Sequence, residues 1–284
     1  MKVEKYMHKP TIYIFGARKT FIQSLSEKYK IIGFIDNDET KWETTFEGYK
    51  IYSPDILLKS SYDKVIIGSV LAIKSMTNQL IQMGLDITKI DDETVHYSNK
   101  ARLTFLEDLS KFYKDKNIYG CVAEGGVFQG EFSKEINRLF PKSKFYLFDT
   151  FEGFDNRDIE LENEKGYSAS HSGYLDNTTE NIVLDKLLHP ELCIIKKGYF
   201  PDSVIDIPEE HYCFVNLDFD LYQPTLAGIE YFSKRMVSGG IILLHDYFHE
   251  DYKGIKQAVI DYENKYGKLS SMPIGDTLSL ALLF

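Results

Sequence analysis

The stretch NIYGCVAEGGVFQG, residues 117–130, is an apolar run that ends in an acid and two glycines. It predicts a buried β-strand, followed by a helix from about Gly130 to Phe140 that Pro141 ends. Further strands are predicted at KFYLFD (144–149), LCIIKKG (192–198), YCFVNLDFD (212–220), IILLHDY (241–247) and TLSLALLF (277–284). Helix-like segments, including 224–237 and 254–266, alternate with these runs, which indicates an α/β fold with a mostly parallel sheet.

A shorter series of the same kind precedes this one. Predicted strands lie at TIYIFG (11–16), IIGFID (31–36) and KVIIGS (64–69), with helix-like segments at 21–28 and 73–83. The polar stretch DDETVHYSNK (91–100) follows and is typical of a domain boundary. We therefore predict two domains, residues 1–95 and 96–284.

The composition limits the classes of partner. With a net charge of −10 and no basic run, the chain is a poor match for nucleic acid, which needs Lys and Arg to neutralise phosphates. No stretch approaches the ~20 apolar residues that cross a membrane, and MKVEKYMHKP lacks the apolar core of a secretion signal. We expect a cytoplasmic protein without a membrane partner, and its three separated cysteines to be reduced thiols.

Acids follow four predicted strands of the second series. They are Glu124, Asp149, Asp218 with Asp220, and His245 with Asp246. The carboxyl ends of parallel strands share one edge of the sheet, where ligands bind. Acids gathered there predict a site, because without a ligand their charges would repel one another.

Glycines in Glu124-Gly125-Gly126 permit a tight turn and let a ligand approach the backbone. The spacing differs from the G-x-G-x-x-G of dinucleotide-binding proteins, and an acid at the strand end disfavours phosphate. It suits a ligand with an ammonium group, such as the methionine part of S-adenosylmethionine. A structural turn with a chance acid is the alternative.

The next strand ends in Phe148-Asp149-Thr150. A carboxylate at this position can accept hydrogen bonds from both hydroxyls of a ribose. The alternative is a carboxylate that caps a loop or helix.

The last two strand ends carry Asp218, Asp220, His245 and Asp246. Carboxylates from adjacent strands can converge on Mg²⁺, which prefers oxygen ligands. His245 could be a further ligand or a base, since an ordinary imidazole titrates near neutral pH. A structural His-Asp pair is the alternative.

Together the motifs resemble the macrocin O-methyltransferase family, a branch of the class I methyltransferase fold. The matching runs are EGGVFQGEFSKEI, YLFDTFEGF, KKGYFPDSV, VNLDFDLYQPT and SGGIILLHDYFHEDYKGIKQAVIDY, from about Leu103 to the C-terminus. The resemblance implies a Rossmann-like, mostly parallel seven-stranded sheet, S-adenosylmethionine, Mg²⁺ or another divalent cation, and methylation of a hydroxyl, often on a sugar.

The resemblance also implies roles for individual residues. Cofactor-binding positions are Glu124, Gly125, Gly126, Phe148, Asp149 and Thr150. Metal positions are Asp218, Asp220, His245 and Asp246, of which Asp218 and His245 are also taken as catalytic. The best-known antibiotic-pathway members resemble Asp-Asp-Tyr where this chain has His245-Asp246-Tyr247, so His245 stays open between ligand and base.

The N-terminal series resembles the smaller Rossmann-like modules of nucleotide-sugar-modifying enzymes. Its glycine pattern is incomplete, because Arg18 and Phe21 stand where a dinucleotide-binding loop has its second and third glycines. A side chain there obstructs the pyrophosphate, which disfavours NAD. The alternatives to a methyltransferase are an NAD-dependent sugar-modifying oxidoreductase, using Gly16 and Asp36, and a non-catalytic nucleotide-binding or scaffold protein.

The polar residues 151–190 are too numerous for a plain connection, so we expect a lid or substrate loop there. The expected partner is a sugar-containing small-molecule acceptor. A phosphate-bearing or amino acceptor and a homo-oligomer stay open.

Overall fold

A computed structural model describes residues 9–16, 22–69 and 72–284 of the chain. The chain divides into two compact units, Met1–Asn99 and Lys100–Phe284. The predicted boundary between residues 95 and 96 stays a prediction. One continuous helix, Glu93–Lys116, runs through this position.

The first unit is a six-stranded sheet with helices. Its elements are β1 (Thr11–Phe15), α1 (Ile22–Lys28), β2 (Lys30–Ile35), β3 (Thr45–Phe46), β4 (Tyr49–Tyr52), β5 (Lys64–Ile67), α2 (Ile73–Gln82) and β6 (Ile90–Asp91). The strand order is β3-β4-β2-β1-β5-β6, and only the β3–β4 pair is antiparallel. Successive side chains of β1 enter opposite apolar clusters, as the two-residue period of a strand requires.

The second unit contains a seven-stranded sheet. Its elements are the part of α3 (Glu93–Lys116) from Lys100 onward, β7 (Cys121–Gly125), α4 (Glu131–Leu139), β8 (Phe145–Asp149), α5 (Asn156–Lys165), α6 (Glu180–Leu184), β9 (Cys193–Lys197), β10 (Tyr212–Leu217), α7 (Tyr222–Phe232), β11 (Met236–Leu244), α8 (Lys253–Tyr266), β12 (Ser270–Pro273) and β13 (Leu280–Leu283). The order is β12-β13-β11-β10-β7-β8-β9, and only β13 pairs antiparallel with its neighbours. The predicted mostly parallel seven-stranded sheet is confirmed.

Strand order fixes where a ligand can enter this sheet. β7 and β10 are neighbours, but the chain continues from β7 to β8 and β9 on one side and from β10 to β11 on the other. The crevice at their carboxyl ends is therefore the topological switch point, where open α/β sheets bind ligands.

Two glycines allow the loops at this point to pack closely. A Cβ on Gly126, whose φ is +79°, would lie 2.0 Å from the carbonyl oxygen of Asp218, and one on Gly125 would lie 2.2 Å from the Phe219 ring. The loops after β7 and β10 can therefore pack together in this way only with glycine at both positions, whether or not a ligand binds there.

The structure corrects several predicted elements. Helix α7 ends at Phe232 instead of continuing to residue 237, and Ser238-Gly239-Gly240 lies inside β11. There the register against β10 shifts and Gly239 has a φ of +81°, so the glycines serve a strand irregularity. Residues 151–190 contain α5 and α6, and the short strands β3, β4, β6 and β12 were not predicted.

None of the helices in the described part of the chain is both long enough and apolar enough to cross a membrane.

The close approach of the two loops predicts that alanine at Gly126 lowers the stability more than alanine at a glycine with open space around it. Gly126→Ala should cost about 3 kcal/mol, combining a left-handed backbone with a collision against Asp218. Gly166→Ala is the matched control, because Gly166 also has a positive φ (+65°) but nothing within 4 Å of an added Cβ, so about 1 kcal/mol is expected. Urea unfolding measures both, and equal losses would contradict this packing.

Candidate functional site

The acids after β10 and β11 meet at the switch point. Parallel pairing continues past both strands: the Asp218 N–H donates to Gly125 O at 2.8 Å and the His245 N–H donates to Leu217 O at 2.9 Å. The side chains converge, with Nδ1 of His245 2.9 Å from Asp218 Oδ1 and 3.0 Å from Asp246 Oδ2. Strand register therefore brings together residues from two separate motifs.

Asp218, His245 and Asp246 form what we call the acid cluster. Each offers one ligand atom, and the three atoms lie within 4.8 Å of one another. The side chains are 21%, 17% and 10% exposed, so they are mostly screened from solvent yet reachable. Nδ1 of His245 has both carboxylate oxygens close by but no aligned hydrogen bond. Two carboxylate oxygens and an imidazole nitrogen are a donor set that suits a divalent cation.

Charges alternate through this cluster. Burial alone would raise the pKa of Asp218, but His245 and Arg102 hold it well below its usual range; Arg102 Nη2 is 3.0 Å from Asp218 Oδ2. Burial and Arg102 oppose protonation of His245, yet Asp218 and Asp246 raise its pKa to about 10. Positive charges on His245 and Arg102 therefore offset the repulsion expected among the crowded acids at Asp218, whereas Asp220 retains that repulsion.

Asp220 differs from the other predicted ligands. It is not part of the acid cluster in the described residues. Burial, together with the nearby carboxylates of Asp246 and Asp218, raises its pKa well above the usual value. Asp220 and Asp246 both have left-handed backbones, with φ of +62° and +54°. Such conformations are uncommon outside glycine and concentrate at functional sites.

Glu124 is buried at the end of β7. It is 2% exposed, its Oε1 accepts a hydrogen bond from Asn216 Nδ2 at 3.0 Å, and its Oε2 accepts one from Ser133 Oγ. Burial raises its pKa to about 8, against the opposing effects of Ser133 and Arg102. Both oxygens have protein partners in this conformation, and binding of an ammonium group by Glu124 stays a prediction.

Asp149 holds the segment 124–130 at the end of β7, which we call the glycine loop. Its Oδ2 accepts hydrogen bonds from the N–H groups of Val127 at 2.7 Å and Phe128 at 2.8 Å, and its Oδ1 accepts one from Phe151 at 2.7 Å. Burial raises its pKa, while these three N–H groups lower it. The carboxylate therefore fixes two loops at the edge where the cofactor is predicted.

The neighbours of Asp149 contribute mainly through their backbone or to a turn. Phe148 is fully buried in the core, and its carbonyl accepts the Gly126 N–H at 2.9 Å. Thr150 donates to Gly153 O at 2.7 Å, which closes the turn after β8. The Phe148 ring is part of the core in this conformation, and its predicted role in cofactor binding stays a prediction.

The segment 151–190 contacts the loops on both sides of the crevice. Thr178 Oγ1 donates to Phe128 O, and Lys186 Nζ donates to Gln129 O at 2.6 Å. From α5, the buried Glu162 accepts the N–H of Tyr222, the first residue of α7, at 2.8 Å. These contacts fit the expected substrate loop, whose role stays a prediction.

Sequence reasoning missed Arg102 and Asn216. Asn216 is fully buried inside the otherwise apolar β10, and Arg102 is 6% exposed on α3. A polar residue interrupting YCFVNL is the one signal that the sequence offered for Asn216.

The predicted N-terminal nucleotide motif is only partly described. Gly16 follows β1 with a φ of +97°, whereas Arg18 and Phe21 lie outside the described residues. Asp36 contacts its own loop, with Oδ2 3.0 Å from Lys41 Nζ.

Comparison with solved structures identifies the fold. The O-methyltransferase NovP is 18% identical with a TM-score of 0.52, covering 64% of this chain and 79% of that one. The calicheamicin methyltransferase CalS11 is 17% identical with a TM-score of 0.52, covering 76% of this chain and 87% of that one. The fold is that of a class I methyltransferase.

Sequence comparison identifies the family. Residues 62–277, more than half of the chain, match the family described as macrocin-O-methyltransferase (TylF), so the chain belongs to that family. Residues 8–91 match the family described as C2185-like, N-terminal.

A curated relative has a defined activity. The 8-demethyl-8-(2,3-dimethoxy-alpha-L-rhamnosyl)-tetracenomycin-C 4'-O-methyltransferase of Streptomyces olivaceus is 25% identical over 164 residues. The match covers 53% of this chain and 60% of that relative's length.

The raised pKa of His245 predicts how stability depends on pH without a divalent cation. Because the pKa rises from 6.5 to about 10 on folding, protonated His245 stabilises the fold fully below pH 6.5, and this contribution is lost as the pH approaches 10. His245→Gln should cost about 3–5 kcal/mol near neutral pH, since it removes the positive charge beside the mostly buried carboxylates of Asp218 and Asp246. In EDTA, the difference in urea midpoint between the two proteins should shrink from pH 7 to pH 9.5. A pH-independent difference would show that His245 is neutral in the fold.

Proposed function

We propose that this protein transfers the methyl group of S-adenosylmethionine to a hydroxyl of a sugar or sugar-linked molecule, assisted by a divalent cation. The observation that carries this proposal is the position of the acid cluster. It lies at the carboxyl ends of β10 and β11, and the Asp218 loop packs directly on the glycine loop after β7. A methyl donor at one loop and an acceptor at the other would therefore be neighbours.

The residues of the acid cluster fit a bound cation. Asp218 Oδ1, Asp246 Oδ2 and His245 Nδ1 already converge, and the nitrogen lacks an aligned partner. A divalent cation held there would lower the pKa of a hydroxyl in contact with it. The ion would also replace the proton of His245 as the positive charge between the carboxylates.

Residues of the chain then position the acceptor and remove its proton. S-adenosylmethionine supplies an electrophilic sulfonium methyl group, so alignment of the attacking oxygen is the main requirement. The acceptor hydroxyl gives its proton to the ionised carboxylate of Asp220 while its oxygen forms a bond to the methyl carbon, and the electron pair of the breaking C–S bond stays on sulfur. A cation in the acid cluster would favour that ionised form, because it would offset the carboxylates of Asp218 and Asp246 that raise the pKa of Asp220. Asp220 suits this role because it lies beside the acid cluster without being part of it.

The donor is assigned to the glycine loop. Asp149 fixes the N–H groups of that loop, and the helix α4 that follows directs its N-terminus to the same edge. We propose the edge formed by residues 124–126 and 148–150 as the donor site. Assignment of the acceptor to a sugar rests on the family and on the relative from Streptomyces olivaceus, whose name gives a rhamnosyl substrate.

Removal of the cation should abolish methyl transfer without abolishing binding of the donor. EDTA should abolish transfer from S-adenosylmethionine to a rhamnosyl acceptor such as p-nitrophenyl α-L-rhamnoside, and Mg²⁺ should restore it. Calorimetry should show that S-adenosylhomocysteine still binds in EDTA, because the residues assigned to the donor are not ligands of the ion. Asp218→Asn should weaken Mn²⁺ binding at least tenfold, since an amide oxygen is a weaker ligand than a carboxylate.

Asp108→Asn is the control for charge. Asp108 is 69% exposed on α3, where it pairs with Lys111, so Mn²⁺ affinity should not change. Tight Mn²⁺ binding by Asp218→Asn, or methyl transfer in EDTA at the full rate, would contradict a cation in the acid cluster. Binding of NAD in place of S-adenosylhomocysteine would instead support the oxidoreductase.

A further inference from the structure

Arg102 links three elements around the site. It extends from α3 with 7% of its side chain exposed, and its Nη2 donates to both Asn216 Oδ1 at 2.8 Å and Asp218 Oδ2 at 3.0 Å. The guanidinium carbon lies 3.9 Å from the centre of the Phe132 ring on α4. A buried guanidinium thus holds the end of β10 against two helices.

Asn216 extends this chain of hydrogen bonds toward the glycine loop. Its side-chain oxygen faces Arg102, and its nitrogen donates to Glu124 Oε1 at 3.0 Å. The other oxygen of Glu124 accepts a hydrogen bond from Ser133 in α4. The hydrogen bonds therefore form a continuous path from Asp218 to the residue that begins the glycine loop.

The path fixes how Asp218 meets the acid cluster. Arg102 contacts Oδ2, so Oδ1 is the oxygen that faces His245. A carboxylate without this anchor can rotate and offer either oxygen or both. The positive charge of Arg102 also repels a cation at the cluster, so its presence cannot be explained by cation affinity alone.

We propose that Arg102, acting with Asn216, is a positioning residue that couples the acid cluster to the methyl-donor loop. A cation that holds Asp218 Oδ1 favours one arrangement of Arg102 and Asn216. This arrangement in turn fixes Glu124 at the start of the glycine loop. By linkage, the donor and the cation each bind more tightly when the other is present. The inference rests on the proposed function, because it takes the two ligands from it.

Calorimetry with Mn²⁺ and S-adenosylhomocysteine tests the coupling without a known acceptor. In the wild-type protein, saturating Mn²⁺ should tighten binding of S-adenosylhomocysteine at least fivefold. In Arg102→Met this factor should fall below twofold, while Mn²⁺ itself binds as tightly as before or more tightly, because a repelling charge is gone. A role limited to stability would instead weaken both ligands together.

Arg138→Met is the matched control. Arg138 also joins α4 to α3, through Glu107 at 3.0 Å, but it is 45% exposed and its other partner, Glu135, lies on α4 itself. Its coupling factor should equal that of the wild-type protein.

Arg102→Lys covers the case in which Arg102→Met does not fold. Lysine keeps the charge but not the planar group that donates to two acceptors, so Mn²⁺ affinity should match the wild type while the coupling falls below twofold. Wild-type coupling in either folded variant would overturn the role of Arg102 and leave the proposed function standing. A wild-type protein that binds neither Mn²⁺ nor S-adenosylhomocysteine would overturn both.

Discussion

The ion pairs of Asp218 with Arg102 on one side and His245 on the other are the interactions on which the rest of the site depends. A carboxylate this enclosed is costly to keep charged unless opposite charges contact it. Arg102 is part of the protein core, whereas His245 can give up its proton. One of the two positive charges is therefore permanent, and the other is the charge that the proposed cation would replace.

Backbone packing makes this arrangement possible. The carbonyl of Asp218 lies so close to Gly126 that no side chain fits between them, and the ring of Phe219 excludes one from Gly125. The glycines that would give a donor access to the backbone also set the distance to the acid cluster. The packing of Asp218 and Phe219 on the two glycines thus fixes how closely the loops after β7 and β10 approach each other.

Much of this could be predicted from the sequence, because the signals are local. Strands that end in acids, in an alternating α/β series, indicated both the parallel sheet and the edge where Asp218, His245 and Asp246 meet. Arg102 could not be found in this way, since it contacts residues more than one hundred positions later, and only the docking of α3 brings it to them. The burial of Glu124 could likewise not be predicted from the sequence, because an acid at the end of a strand can be either buried or exposed to the crevice.

The claim that the acid cluster holds a divalent cation can be tested most directly by a crystal structure with Mn²⁺ and S-adenosylhomocysteine. We predict an anomalous peak about 2.1 Å from Asp218 Oδ1, Asp246 Oδ2 and His245 Nδ1. Asp218 Oδ2 should remain on Arg102. A cofactor-bound crystal in saturating Mn²⁺ that shows no peak there, with His245 Nδ1 still between the two carboxylates, would contradict it.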